Sequence, residues 1–531
     1  MTDKSPSEGS GQLTSSNRVL ALLLAMAMFV LVVDTSLMNV SISSVVRDLD
    51  TTVSGVQAAI ALEALVSAAF ILIGGKVGDL IGRRRAYVLG LLGYAIGASA
   101  MAFAQTLTAI VIFWAILGGI GASLLLPAMQ SLIHGNFHGA AQKKVYALVG
   151  AAAAIAAAIG PLLGGFITTF LSWRIGFVLE VAIIAIVLSG MSLVKDVPYT
   201  GPKSIDLVGA ALSVIGMGTI VLGVLVWQEG GEAVGLLLAI GALSLAGLAY
   251  WLVRRTREEK STLLDPDLFR SAMYRLGISA QMLQQIALGG TMIVLPIYLQ
   301  MVLEYNAMQA GLSLAPLSLS MFAVALLAGK KSGSRSPSSI IRWGFVLLII
   351  GTVALIPIVP RAEFGWGLMI PLVIMGSALG LLVSQLNNYT LAPIPEDRIS
   401  EAAGVNSAAG SFGLSFGLAV AGAIMLAAMS IAFTTLTESS SVLPPAEQQQ
   451  VAQALEDDAE LMSNSQLEQL LVEQPASIRD EIVRINTDAR PLALQIALLI
   501  PLFAGLVGTV ISTRMSKIHR IQSPPSSAGP L

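Results

Sequence analysis

Runs of about twenty apolar residues, separated by short polar stretches, follow one another along almost the whole chain. Each is long enough to cross the ~30 Å hydrocarbon core of a bilayer as a helix. Fourteen such spans are predicted, near 19–43, 55–74, 86–104, 108–133, 145–170, 174–194, 206–226, 234–253, 276–301, 310–328, 341–358, 367–390, 402–432 and 491–513. One polar interruption is long, 433–490. There Leu455, Leu461, Leu467, Leu470, Leu471, Ile478, Ile482 and Ile485 recur at roughly helical spacing. Two or three short amphipathic helices in a hairpin are expected, with a disordered acidic loop as the alternative. The polar, Ser/Gly-rich stretch 1–17 precedes an apolar run long enough to span, so no cleaved signal peptide is expected.

Composition agrees with this pattern. The 531 residues are 55% hydrophobic and 12% charged, where a soluble domain carries ~25% charged residues. The chain therefore reads as an all-α polytopic membrane protein. With no cysteine there is neither a disulfide framework nor a thiolate metal site. Of three histidines, His134 and His138 flank one loop and make no persuasive metal site; no cofactor is expected. Gly329-Lys330 lacks the glycine-rich run of a phosphate loop, so ATP drive is not expected, and nothing points to nucleic acid.

The net charge of −2 becomes informative once divided by location. With the N-terminus taken as cytoplasmic, 24 of the 30 Lys and Arg fall in cytoplasmic segments and six outside. That asymmetry predicts an even number of spans, with both termini in the cytoplasm of a bacterial cell. The long external segment holds 11 acids against Arg479, Arg484 and Arg490, a local charge of −8. It could gather cations at the external mouth, and removal of 439–475 is expected to leave folding intact.

The most informative motif is Gly75-Lys76-Val77-Gly78-Asp79-Leu80-Ile81-Gly82-Arg83-Arg84-Arg85, a polar loop between spans 2 and 3. Its glycines permit a sharp, closely packed turn, and an acid among four bases suggests a latch beyond a topology anchor. Others follow in order: Asp34-Thr35 with Asn39-Val40 in span 1; Gly121 and Pro127 in span 4; Gly160-Pro161-Leu162-Leu163-Gly164-Gly165 in span 5. Trp173-Arg174 leads into span 6, Pro296, Gln300, Gly311 and Pro316 lie around spans 9 and 10, and Gly404 to Gly417 mark span 13. Together these resemble the major facilitator superfamily, and within it the fourteen-span drug:proton antiporters of the quaternary-ammonium and multidrug efflux type.

The resemblance implies two six-helix halves that rock to give alternating access. The N-terminal half would cover 19–194 and the C-terminal half 276–513 with its external loop 433–490. Between them, 195–275 would carry an inserted helix pair and linker, and 1–18 and 514–531 would be cytoplasmic tails. Gly329 to Arg335 looks like a degenerate copy of the opening loop without its acid. The resemblance also makes the Gly160–Gly165 segment a gate helix and implies a monomer. Pro161 kinks it, and Gly160, Gly164 and Gly165 let a neighbour approach closely. Two departures stand out: the family usually has proline where Ser43 stands, and arginine where Ala115 stands. The family's proton relay through that base cannot operate here.

Three carboxylates interrupt apolar runs: Asp34, Glu63 and Glu180. Ionisable groups at membrane depth are costly and are functional candidates by default. No base lies in the middle of any span, so they suit reversible protonation and cationic cargo. Asp34 and Glu63 each lie sixteen residues from a cytoplasmic marker, Arg18 and Asp79, which places both ~24 Å deep, and they could share a site. Glu180, on a span peripheral in this fold, is expected to be a buried, hydrogen-bonded structural group more than a coupling group. For cargo contact the candidates are Gln281, Gln284 and Gln285, on one face of span 9, and Gln385, Asn387 and Asn388 in span 12. Helix–helix hydrogen bonding is an equal reading for both sets. Twenty methionines could give an adaptable cavity wall or simply core.

The expected function is proton-coupled efflux of hydrophobic, cationic compounds. Export or flipping of an endogenous amphiphile such as a lipid is the alternative. A non-transporting membrane sensor or assembly partner is the alternative of another class. No enzymatic activity is expected.

Overall fold

The computed structural model describes residues 15–196, 205–228, 231–330, 336–362, 364–395, 398–445, 448–457 and 464–522. Among these residues the chain is helical throughout, with no strand. The long helices are α1 (Ser15–Leu49), α2 (Val53–Ile81), α3 (Arg83–Met101), α4 (Leu107–Asn136), α5 (Gly139–Phe170) and α6 (Trp173–Ser189). They continue with α7 (Leu207–Gln228), α8 (Val234–Arg257), α9 (Ala272–Ile297), α10 (Ala307–Lys330), α11 (Pro337–Leu355), α12 (Met369–Leu391) and α13 (Ile399–Glu438). Two short helices, α14 (Gln448–Asp457) and α15 (Asn464–Leu470), precede α16 (Ala476–Ala497) and α17 (Leu499–Gln522). Most of the degenerate repeat, 331–335, lies outside the described residues, as do Glu447, Asp458 and Glu460.

Among the described residues, thirteen helical stretches are long and apolar enough to cross a membrane. The predicted third span is the exception. Helix α3 has 19 residues and opens with three arginines, which lower its hydropathy, although it packs fully against α4 and α6. Local sequence explains most starts: Thr52 accepts from the Gly55 N–H at 3.1 Å to cap α2, and Ser172 accepts from Arg174 N–H at 3.3 Å to cap α6. Two segments, Ile110–Gly118 in α4 and Tyr298–Val302 after α9, widen into π-helix, a distortion frequent where a helix must re-aim side chains.

The chain ends define a terminal face, and the opposite, distal face carries the α1–α2 turn. One core cluster is confined to the N-terminal half on the terminal side, joining Leu20–Val30, Tyr87–Tyr94, Leu125–Ile133 and Ile184–Val194. The other crosses between halves on the distal side: Leu37–Val45, Val53–Leu65 and Trp114 share it with α9 and α11–α13. The halves thus share the distal core, while toward the terminal face the N-terminal half keeps a core of its own and a smaller cluster joins Leu72 and Ile73 of α2 to Val405 of α13 and Ile278 of α9. The inserted pair α7–α8 packs as a unit, and α7 lies on α2 and α13, where Gln228 donates to the Ala419 carbonyl at 2.8 Å.

The long polar segment is built differently from expectation. Its third amphipathic helix, α16, is the distal end of the final span, running through Pro491 and interrupted only at Leu498 before α17. Leu443, Leu455 and Leu467 are buried with Ile482 and Ile485 in the large core. Helices α14 and α15 therefore contribute to the core of the C-terminal half, which speaks against the expectation that 439–475 is dispensable for folding. Three of the eleven acids pair with the segment's own arginines: Asp480 with Arg479 at 3.2 Å, Glu481 with Arg484 at 2.8 Å and Asp488 with Arg484 at 2.9 Å, and Glu481 also accepts from Ser440 at 2.5 Å.

Candidate functional site

Asp34 stands midway along α1 and is 1% exposed. Its carboxylate accepts the Tyr94 hydroxyl from α3 in a short hydrogen bond. It also accepts the Trp114 indole N–H, with Nε1 3.0 Å from Oδ1 and 2.9 Å from Oδ2. Trp114 lies within the π segment of α4, beside Ala115, where the resembled family carries its arginine. The group that meets the acid is therefore a neutral donor one residue earlier. Trp114 is held in turn by Phe177, edge to face at 6.4 Å, and Phe177 sits one turn before Glu180 on α6.

Glu63 and Glu180 each stand within electrostatic reach of Asp34, and Tyr94 within reach of all three acids. Glu63, on α2, is half-buried, while Glu180 is 2% exposed. Glu180 does not make the hydrogen bonds expected of a structural carboxyl. Neither of its oxygens has a partner, and it belongs to the acid cluster instead of standing apart on a peripheral helix. A buried carboxyl without partners is costly, so Glu180 is the least satisfied member of the cluster. Three helices of one half thus bring three acids around one tyrosine, with no salt bridge to a base among them.

Helix α5 has the close contacts its small residues anticipate. Side chains at Gly160 and Gly164 would strike Ser36, Leu37 and Val40 of α1, and one at Gly165 would strike Ala307 and Met308 of α10. Gly311 of α10 meets the Pro161 carbonyl in the same way. Helix α5 is pressed between α1 of its own half and α10 of the other. Polar ties seal the same region. Gln300 Oε1 accepts from Ser43 N–H at 3.2 Å and Ser43 Oγ at 2.7 Å, and Thr169 accepts from Met308 N–H at 2.9 Å.

The motif between spans 2 and 3 is less of a loop than its glycines suggest. Helix α2 runs unbroken to Ile81, and the turn is the single residue Gly82, at φ 98°. Gly75 and Gly78 serve packing, against Pro127 and Ala86. Asp79 pairs with Arg83 at 3.2 Å, and the exposed first turn of α3 is capped from elsewhere: Asp196, beyond α6, accepts the Arg84 N–H at 3.1 Å.

The polar candidates in the C-terminal half divide. Gln281 donates to Gln284 at 3.4 Å, and both Gln281 and Gln285 lie against Gly410 of α13. Gln284 is buried with its Nε2 unpartnered, as is Gln285 Oε1. Gln385 is 1% exposed and Asn388 is exposed, while Asn387 accepts from Asn406 at 3.3 Å, a helix–helix bond. Sequence reasoning missed Tyr94, Trp114 and Asp196. Aromatics with a polar tip inside apolar runs were the available signal for the first two.

Helices in two halves that share a distal core, with three acids clustered inside the first half, are the architecture of a transporter and not of an enzyme. The chain belongs to the Major Facilitator Superfamily, whose family model it matches over residues 24–418, and it is a multi-pass protein of the cytoplasmic membrane. It is 26% identical over 404 residues to a probable actinorhodin transporter of Streptomyces coelicolor, covering 74% of this chain and 69% of that one. It is 25% identical over 453 residues to the multidrug export protein EmrB of Escherichia coli, covering 84% and 86%. Among solved structures, a bacterial homologue of the lysosomal transporter Spinster superposes with a TM-score of 0.62 at 12% identity, over 97% of this chain and all of the other. A D-xylose–proton symporter superposes at 0.56 and 14% identity, over 77% and 90%. These two likenesses concern the fold.

Proposed function

We propose that this transporter exports hydrophobic, cationic compounds in exchange for protons, with the terminal face in the cytoplasm. The carrying observation is the acid cluster. Asp34, Glu63 and Glu180 converge without a basic partner, and the half-buried Glu63 is the member that cargo could meet. Relatives named for multidrug export support the cargo class, and the distribution of Lys and Arg supports the orientation. In this reading cargo enters from the cytoplasmic side, where the N-terminal half keeps a core of its own and only a small cluster joins the halves. Protons taken up by the cluster displace it after the distal seal opens. Gly75, Gly78, Asp79, Gly82, Arg83 and Arg84 act as the cytoplasmic latch, and Gly160, Pro161, Gly164 and Gly165 as the moving gate. Gln281, Gln284, Gln285, Gln385 and Asn388 are the candidate cargo contacts.

Proteoliposomes with an imposed pH gradient test this directly. A panel of lipophilic cations should accumulate against its gradient with the parent protein, and Asp34→Asn combined with Glu63→Gln should abolish the accumulation. Uphill transport by the double variant equal to the parent would sink the carboxylate mechanism.

A further inference from the structure

The inserted pair α7–α8 is held by polar bonds at both ends of α7. At the terminal end the buried Asp206 accepts the Gly209 N–H at 3.0 Å, the Trp251 indole N–H at 2.9 Å and the Leu263 N–H at 3.4 Å, with Arg255 at 3.9 Å. One carboxylate thus joins α7, α8 and the linker that follows them. The linker is clipped in turn to the start of α13, where Asp265 gives its N–H to Glu401 at 2.8 Å and pairs with Arg398 at 2.7 Å. At the distal end Gln228 donates to the Ala419 carbonyl of α13 at 2.8 Å, its amide filling the space that a side chain at Gly422 would take. Toward the N-terminal half the pair is attached differently. Helix α7 packs on α2, but among the described residues no hydrogen bond or ion pair joins α7 or α8 to that half. Leu72 and Ile73 of α2 meet the pair in an apolar cluster with Ala210 and Leu252.

We propose that α7–α8 is a shutter carried by the C-terminal half, moving with α13 and sliding over α2, so that the α2–α13 seam stays covered from the bilayer. This rests on the alternating halves of the function proposed above. Hydrogen bonds away from water are directional and costly to leave unmade, and those to a carboxylate such as Asp206 are the stronger kind. Apolar contacts in lipid carry no such penalty when they are exchanged, because acyl chains are as apolar as the side chains they replace. The bonds to α13 therefore persist while the contacts with α2 slip. Beneath the pair the seam is joined by the Ser415 hydroxyl, which donates to the Ala61 carbonyl at 2.6 Å. The outer side of the pair suits lipid: Val208, Ile215 and Leu222 of α7, and Leu236, Leu243 and Tyr250 of α8, are all exposed and recur at every seventh position. Cargo dissolved in the bilayer meets this apolar surface and not an opening.

The test uses the full-length protein in proteoliposomes. The chain has no native cysteine, so Leu89→Cys in the N-terminal half, Leu207→Cys on α7 and Trp343→Cys in the C-terminal half can be spin-labelled in pairs. All three positions are exposed, at 50%, 75% and 53%. Double electron–electron resonance then reads the three separations with and without tetraphenylphosphonium, and with and without Gln300→Leu, which removes the tie to Ser43. The 89–343 and 89–207 separations should shift together while 207–343 stays fixed. Asp206→Ala combined with Gln228→Leu should broaden 207–343; if that variant does not fold, the three separations without it decide. An 89–207 separation that holds while 89–343 moves would overturn the shutter alone, because the pair would then ride with the N-terminal half. An 89–343 separation that never moves would overturn the rocking of the halves, and the shutter with it.

Discussion

Trp114 gives its indole N–H to both oxygens of Asp34, at 3.0 and 2.9 Å. This bond puts a neutral donor where the resembled family places a base nearby, so under the proposed mechanism a proton arriving at Asp34 would leave no unpaired cation behind. It also depends on the π segment of α4, which turns the indole toward α1.

Replacement of Trp114 by Phe should therefore keep the ring packed on Phe177 while removing the donor. A hydrogen bond to a charged group contributes about 1.5–3 kcal/mol, so pH-driven transport in proteoliposomes should fall by about tenfold or more. Tyr94→Phe should do the same by removing the other donor. Normal transport by both variants, with normal expression, would show that the acid needs neither.

Removal of Asp196 should loosen the start of α3. Its carboxylate accepts the Arg84 N–H, and loss of such a cap costs about 1 kcal/mol. Asp196→Ala should lower thermal stability by that amount and Asp196→Asn by less. Asp79→Ala breaks only the pair with Arg83 and should change switching more than melting. Equal effects of the two on the unfolding midpoint would remove the distinction.

Much of this architecture was legible from periodicity alone, because a helix in lipid must satisfy its own backbone and must be apolar for some twenty residues. The glycine and proline positions of α5 and α10 likewise pointed to close helix contacts. What the sequence hid depends on rotation and long-range packing. Glu180 read as peripheral because the resemblance places span 6 at the edge of the fold, and nothing in the sequence shows which way its side chain faces. Trp114 and Tyr94 looked like ordinary core aromatics until α1 was seen between them. Arg490 counted as a loop charge because hydropathy windows cannot tell a buried guanidinium from a solvated one.

The segment between α13 and α16 should prove to be structural. Leu455 and Leu467 are buried at 2% and 4% exposure, and truncating a buried leucine costs about 2–5 kcal/mol. Leu467→Ala should lower the unfolding midpoint clearly, and deletion of 439–475 should abolish folding as read by size-exclusion profile. A monodisperse, fully stable deletion would return this segment to the status of a loose loop.

The distal seal gives the sharpest test, because it rests on one departure from the family pattern. Ser43 offers Gln300 both its N–H and its hydroxyl; the proline usual there could offer neither. Two neutral hydrogen bonds at about 1 kcal/mol each correspond to roughly a tenfold to thirtyfold shift in the closed-to-open ratio. Ser43→Ala keeps the backbone donor and should shift the ratio less than Gln300→Leu, which removes the acceptor. The absence of native cysteine permits a clean readout. Ser36→Cys, two turns below Ser43 on α1, should react with a membrane-impermeant maleimide from the distal side several-fold faster in the Gln300→Leu background. Unchanged labelling there, with the protein still able to transport, would mean that the α5–α10 contact at Gly165 and Gly311 holds the seal alone.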